Sequence, residues 1–291
     1  MKRKPVVAGI GELLWDLLPD GKQMGGAPAN FAFHTKQSGC ESLIISAVGN
    51  DTDGEELLQT LTNQGSETRL IQKNSFPTGT VTVSLSPQGQ PQYTIHEGVA
   101  WDYIGLDDQT KAAINELDAV CFGSLAQRNP VSAAAIQQLL TLVKPGCLKV
   151  FDINLRQNYY SKEIIEISLQ FADILKLNDE ELPVLAGFFG LSGDIENQLY
   201  QLMIKFNLNF VVYTMGAKGS IVFDETKSSF TEAPKIDITD TVGAGDSFTA
   251  VFISGILLNI PFEQAHRQAS RVAAYVCSQK GACPVLPFKV F

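Results

Sequence analysis

The sequence predicts an α/β fold, a mostly parallel central sheet flanked by helices with a small β-sheet lid, and three observations carry the prediction. Short apolar runs rich in Val and Ile alternate with helical patterns over most of the 291 residues, as in an open sheet with helical crossovers. The runs are apolar at nearly every position, as strands buried on both faces must be. One stretch departs from this. Thr78 to His96 alternates strictly at Val81, Val83 and Leu85, the mark of a half-buried hairpin with one wet face.

In chain order, "PVVAGI" is the first strand. The basic residues before it imitate a secretory leader, but Glu12 and Asp16 cut the apolar run short and no small-residue cleavage site follows, so the segment belongs to the sheet. "ELLWDLLPD" comes next and is expected to join the lid. "SLIISAV" is a second buried strand. "DGEELLQTLTNQG" reads as a helix that starts on an Asp cap, Asp53, and stops at Gly65. The hairpin turns through a Pro/Gly-rich loop and returns with Tyr93 and Ile95 on alternate positions. "DAVCFG", "LKVFDI", "ADILKLN" and "NFVVYT" follow as further buried strands. From Phe248 the pattern is helical, with Phe248, Phe252 and Ile256 four apart. These elements make a single domain over 1–291, with lid segments near 12–24 and 78–103 and no internal repeat, low-complexity segment or long linker.

Forty-five per cent hydrophobic and 18% charged residues exclude a disordered chain. A formal net charge of −9 argues against nucleic acid or an anionic membrane as partner, and no stretch approaches the length of a membrane span. The five cysteines are odd in number and lack C-x-x-C spacing. They read as buried thiols of a cytoplasmic protein rather than disulfides or zinc ligands.

Most cofactor motifs are missing. "GIGELL" begins like a dinucleotide loop, but Leu14 replaces the third glycine and Glu12 would crowd a pyrophosphate. There is no P-loop, no H-E-x-x-H and no G-x-S-x-G elbow. What remains is "DTVGAGDSFTA". Gly243, Ala244 and Gly245 leave bare backbone at the start of a helix, where free N–H groups and the helix dipole attract an anion. Asp246 is either that helix's cap or a carboxylate beside an anion it works on. A second loop, "GGAPANFA", again sets bare glycines before a helix. Asn30 in its first turn is a cap, or an amide that holds a sugar hydroxyl through both donor and acceptor.

Together these loops resemble the ribokinase/PfkB family of sugar and nucleoside kinases. Gly25, Gly26, Asn30, Gly39 and Gly49 meet its N-terminal pattern and "DTVGAGDSFTA" its C-terminal one. "NDEE" from Asn178 to Glu181 fits its N-x-x-E, and "TMGAKG" its T-x-G-x-x-G. Val251 is larger than the Gly or Ala usual at that point. The likeness runs from Val6 to about Pro287 and implies a ribokinase-like fold and an ATP-dependent phosphotransferase. Asp246 is then the general base, and the amides of Gly243, Ala244 and Gly245 are the anion hole. Asn178 and Glu181 would organise Mg²⁺ and its waters, or be only a favourable helix start. Thr214, Gly216 and Gly219 would line phosphates and ribose, and Gly281 with Ala282 would border adenine unless they merely end a helix. Asp240 and the Val242 carbonyl match a monovalent cation site, for K⁺. For the sugar, Asp16 is the first candidate against a solvated surface role, with Gly25, Gly26 and Asn30. Arg156 suits a phosphate or acid group, or pairs with Asp152.

"GELLWDLLP", "GGAPAN", "FGSLAQR" and "DINLRQ" look most like bacterial fructokinases. Ribokinases commonly carry a Lys near Pro28, which is absent. A 2-keto-3-deoxygluconate kinase is the nearest rival, but the expected Tyr-Arg cluster is met in "YTIHEGVAWDYI" only by His96 and Glu97. Two other classes are a catalytically silent sugar- or nucleotide-binding regulator on the same scaffold, and a dehydrogenase. The resemblance also implies a homodimer through the lid face of Val81, Val83 and Leu85.

Overall fold

A computed structural model describes residues 3–18, 21–85 and 91–290. The chain opens on β1 (Val6–Ile10), buried at every position. It then leaves the main sheet for an antiparallel pair, β2 (Leu14–Leu18) and β3 (Gly21–Gly25). Helix α1 (Ala27–Gln37) carries Pro28 in its first turn, where a missing N–H is harmless, and β4 (Glu41–Gly49) returns parallel to β1.

Helix α2 (Thr52–Asn63) is capped by Asp51, whose Oδ1 accepts from the Gly54 amide at 2.8 Å. The cap is thus two residues upstream of Asp53. Asp51 has the extended backbone a cap requires, while Asp53 lies in the first turn and complements the dipole. Asp51 has a second task. Its Oδ2 accepts from the Thr78 amide at 2.8 Å and its Oδ1 from the Thr78 hydroxyl at 2.6 Å, which ties the foot of the next hairpin to α2.

After β5 (Ile71–Asn74), the predicted hairpin is β6 (Gly79–Leu85) and β7 (Pro91–Ile95). Val81 and Ile95 face each other in register and are buried, whereas Tyr93 is 56% exposed. The side chains of Val83 and Leu85 lie outside the described residues. The chain then alternates as the apolar runs predict: α3 (Asp108–Ile114), β8 (Ala119–Phe122), α4 (Pro130–Leu142), β9 (Leu148–Asp152), α5 (Lys162–Phe171), β10 (Ile174–Asn178), α6 (Leu182–Phe189), α7 (Ile195–Phe206) and β11 (Phe210–Thr214). Strands β12 (Ser220–Asp224) and β13 (Ser228–Thr231) turn back antiparallel, and α8 (Ala244–Leu257) and α9 (Phe262–Cys277) follow.

The main sheet has the order β13-β12-β11-β10-β9-β8-β1-β4-β5 and is parallel from β5 to β11. The small sheet has the order β3-β2-β6-β7, with β2 and β6 parallel between antiparallel outer pairs. Both faces of the main sheet are covered, which is why its strands are apolar throughout. On one face Val7, Cys121, Val150 and Val212 pack with Phe31 of α1, Phe248, Val251 and Phe252 of α8, and Val272 of α9. Val251 is therefore accommodated inside this layer. On the other face Ala8, Ile10, Phe122 and Leu175 meet α3 to α7 through Ile114, Leu139, Ile165, Leu185 and Leu199. Leu13 and Trp15 seat the small sheet on α1 and α2, where the Trp15 indole donates to the Asp53 carbonyl at 2.9 Å. All five cysteines are free thiols.

Candidate active site

Helix α8 begins at Gly243, which is left-handed at φ 78°. A β-carbon there would lie 2.6 Å from the Ala282 carbonyl oxygen, so the position admits only glycine. No side chain caps this helix, and its leading N–H groups lack intrahelical partners. Asp246 is thus not the cap. Its Oδ2 accepts a hydrogen bond of 2.8 Å from the Asn30 amide nitrogen. Asn30 in turn sits in the first turn of α1, capped by neither its own side chain nor any other residue of that helix. Asp246 keeps one face open to the cleft but lies at interior depth. Burial, then the charge of Asp152, raises its carboxyl to about 6, against Asn30, Lys176 and Arg156.

Beneath this loop lies a buried ion pair. Lys176 in β10 meets Asp152 at the end of β9 at 3.1 Å. Burial works against the ammonium, but Asp152, Glu181 and Asp246 together hold it protonated, above its usual range. Its Nζ lies against Gly245, where a β-carbon would come within 2.9 Å. A fixed cation therefore lies behind the Gly245 backbone at the start of α8. The Asp152 partner is Lys176 and not Arg156, which is exposed and whose charge opposes the upward shift of Glu12, Asp16 and Asp246.

The N-x-x-E segment is a local staple. Asn178 Oδ1 accepts from the amides of Glu180 and Glu181, each at 2.9 Å. Glu181 accepts from the amides of Asn178 and Leu155, also at 2.9 Å, and so ties the ends of β9 and β10 together. Burial raises its carboxyl while Lys176 opposes the shift. Among the described residues no group of three or more His, Cys, Asp or Glu side chains could hold a metal alone. The donor set fits an Mg²⁺ brought by nucleotide phosphates and met through water.

On the far side of Gly245 is a cavity of about 440 Å³, lined by Thr214, Gly216, Gly219, Ala244, Phe248, Ala273, Ala274 and Cys277, and by Ala233, Pro234, Lys235, Ile236 and Ile238. Its size and apolar walls suit a nucleoside. Gly281 is not in this lining. Its amide donates to Asp240 Oδ2 at 3.1 Å, while Asp240 Oδ1 accepts from the Val242 amide at 3.0 Å. The candidate cation ligand Asp240 thus staples the loop before α8 to the segment after α9.

On the near side, Asp16 of β2 is half-buried, and burial raises it to about 6 against Arg156. It closes on Gly25, where a β-carbon would lie 2.5 Å from its Oδ2. Gly26 passes against the Glu12 carbonyl, at a left-handed φ of 120°. The structure therefore gathers Asp16, Gly25, Gly26, Asn30, Arg156 and Asp246 on one side of the N-terminus of α8 and Thr214, Gly216 and Gly219 on the other.

Sequence reasoning missed Glu12, Lys176 and Cys283. The signal for Lys176 was a lysine inside an apolar strand. Glu12 was read only as an obstacle to a pyrophosphate. Cys283, whose thiol donates to Asn30 Oδ1 at 3.2 Å, gave no sequence signal at all.

Residues 20–289 match the family model of the pfkB family carbohydrate kinases. An uncharacterized sugar kinase from Pyrococcus horikoshii, solved in complex with ATP, is 30% identical over 95% of this chain and 94% of its own, with a TM-score of 0.81. A fructokinase from Klebsiella pneumoniae is 28% identical over 96% of this chain and 95% of its own. A fructokinase from Vibrio cholerae, solved with fructose, ADP and calcium, is 26% identical over 98% and 96% of the two chains, with a TM-score of 0.82.

Proposed function

Because the chain belongs to the pfkB family of carbohydrate kinases, and so is a phosphotransferase acting on a sugar, we propose that it moves the γ-phosphoryl of ATP to a hydroxymethyl group of fructose, with Asp246 as general base. The observation that carries this reading is the place of Asp246. It lies at the N-terminus of α8, between the nucleoside-sized cavity and the cluster of Asp16, Asn30 and Arg156.

The sugar hydroxyl would lie beside Asp246, which takes its proton as the oxygen attacks phosphorus. Charge gathering on the equatorial phosphoryl oxygens would be met by the amides of Gly243, Ala244 and Gly245, backed by the Lys176 ammonium. Mg²⁺ bound to the nucleotide would neutralise phosphate charge, with Asn178 and Glu181 holding its waters. Asp16, with its two acceptor oxygens, would orient neighbouring hydroxyls. K⁺ at Asp240 and the Val242 carbonyl belongs to the same proposal. That all five cysteines are free thiols suits a reducing cytoplasm, and no helix among the described residues is long and apolar enough to cross a membrane.

A second reading, a 2-keto-3-deoxygluconate kinase, needs a cation free for the substrate carboxylate. Arg128 approaches His96 from a different segment, yet it is buried and paired with Asp102 at 2.8 Å between the rings of Trp101 and Tyr159. Its charge is already neutralised. Arg156 is the observation that keeps the rival in play. Coupled ADP release with MgATP against fructose, ribose, tagatose, 2-keto-3-deoxygluconate and adenosine decides between them. Fructose preference lost in Asp246→Ala is the expected result, and turnover on the keto-acid alone moves the assignment to the rival.

A further inference from the structure

Glu12 has no part in the reaction as described above, yet it is 3% exposed. It follows β1 directly and faces the start of α1. Oε1 accepts from the Ala27 amide at 3.3 Å, and Oε2 is buried with no hydrogen-bond partner. The residue at the N-cap of α1 is Gly26, which has no side chain to offer, and the first turn holds no acidic residue of its own. Pro28 has no N–H, and the Asn30 amide N–H is taken by the Gly26 carbonyl at 3.0 Å. The carboxyl of Glu12 thus does from the connection between β1 and β2 what a cap normally does from the helix end itself. That helix turn carries Asn30, and Asn30 holds Asp246.

We infer that Glu12 is a positioning residue that acts on Asp246 through α1: it caps the helix whose first turn sets the Asn30 amide against the base. The inference rests on the reading of Asp246 as that base. Glu12 also stands within the electrostatic reach of Asp246. Burial, and then Asp246 as a like charge, raise Glu12 to about 7, while Arg156 and the Ala27 amide oppose the shift. The groups facing Asp246 are Asp152 from β9, Lys176 from β10, Arg156 from the loop after β9, and Asn30 from α1. Glu12 adds a second titrating carboxyl to this set, so the pair loses its protons in two overlapping steps.

The test compares Glu12→Gln and Glu12→Ala with the parent enzyme on the preferred sugar at saturating MgATP, over pH 5 to 9. Glu12→Ala removes the cap, and kcat is expected to fall roughly three- to tenfold with a smaller change in KM. Glu12→Gln keeps an acceptor for Ala27, so it recovers part of that loss. It also removes a carboxyl that ionises near 7, above Asp246, so the two-proton acid limb of the parent's kcat/KM becomes a one-proton limb near 6. A merely structural role would leave that limb where it is. A Glu12→Gln limb that superimposes on the parent's overturns the inference, and so does full turnover in Glu12→Ala. Glu12→Gln keeps the test open if Glu12→Ala does not fold. Asp246→Asn, assayed alongside, separates the two readings. Turnover at the parent's rate in that variant sinks the base assignment itself. An inactive Asp246→Asn beside an unmoved Glu12→Gln limb sinks only the role of Glu12.

Discussion

At Asp246 one carboxylate is held between two demands, since its proposed role as base needs it ionised and its enclosure makes ionisation costly. Its carboxyl at about 6 sets the first expectation. As the proposed base, Asp246 is ionised above that value and protonated below it, so it contributes one proton to the acid limb of kcat/KM near 6, below the Glu12 step. A pH–rate profile checks this, and a limb near the ordinary aspartate value would contradict it. Asp246→Ala is expected to lower kcat by roughly 10²–10⁴-fold without unfolding the protein. Lys176 calls for a different design, because Lys176→Met strands Asp152 as a buried, unpaired charge at a cost of about 3–5 kcal/mol. The double variant Lys176→Met, Asp152→Asn is expected to regain most of that stability in urea titration but not the turnover. Recovery of both would make the pair purely structural. The sequence placed Asp246, the bare glycines and Asn30 correctly at two helix starts, because small residues before an apolar helix leave a local trace. It left Lys176 and Glu12 unread. Their roles arise from partners on other elements, Asp152 and Gly245 for Lys176 and Ala27 for Glu12, and no short window records that.

At the scale of elements, α1 joins the two halves of the site. Asn30 reaches α8, and four residues on, His34 Nε2 donates to the Ala282 carbonyl at 2.8 Å, against which Gly243 is packed. Burial lowers His34 to about 4. A histidine depressed in the folded state stabilises above its unfolded value near 6.5, and that contribution is lost as pH falls toward 4. Glu12 and Asp246, both raised, act in the opposite direction over part of the same window. The readout is therefore a difference. His34→Gln, which keeps a donor for Ala282, is expected to lose less stability than the parent between pH 7 and pH 5, by an amount on the order of 1–3 kcal/mol. Parallel thermal melts that coincide would count against it. The elements themselves were largely legible, since fully apolar runs of five residues between helical patterns have few other solutions. The cap of α2 was misplaced because Asp51 and Asp53 both stand before the helical run, and only backbone geometry distinguishes them.

Over the whole molecule, the alternation of strands and helices announced the parallel sheet, and the one alternating stretch announced the small one. The parallel pairing of β2 with β6 was not legible. It joins segments separated by α1, β4, α2 and β5, and hydrophobic pattern says which face is buried, not which strand lies alongside. The outer end of the hairpin carries exposed Tyr93, and a homodimer through that sheet is our expectation. Light scattering at micromolar concentration checks it, and a monomer there would remove the lid as the contact. The bonds of Asp51 have a kinetic corollary. One carboxylate holds the first turn of α2 and the foot of β6 at once, so lifting of the small sheet at β6 is coupled to fraying of that helix. Amide protons at Gly54 and Thr78 should then exchange with solvent as one unit, which makes the opening rate of the small sheet a property of the end of α2.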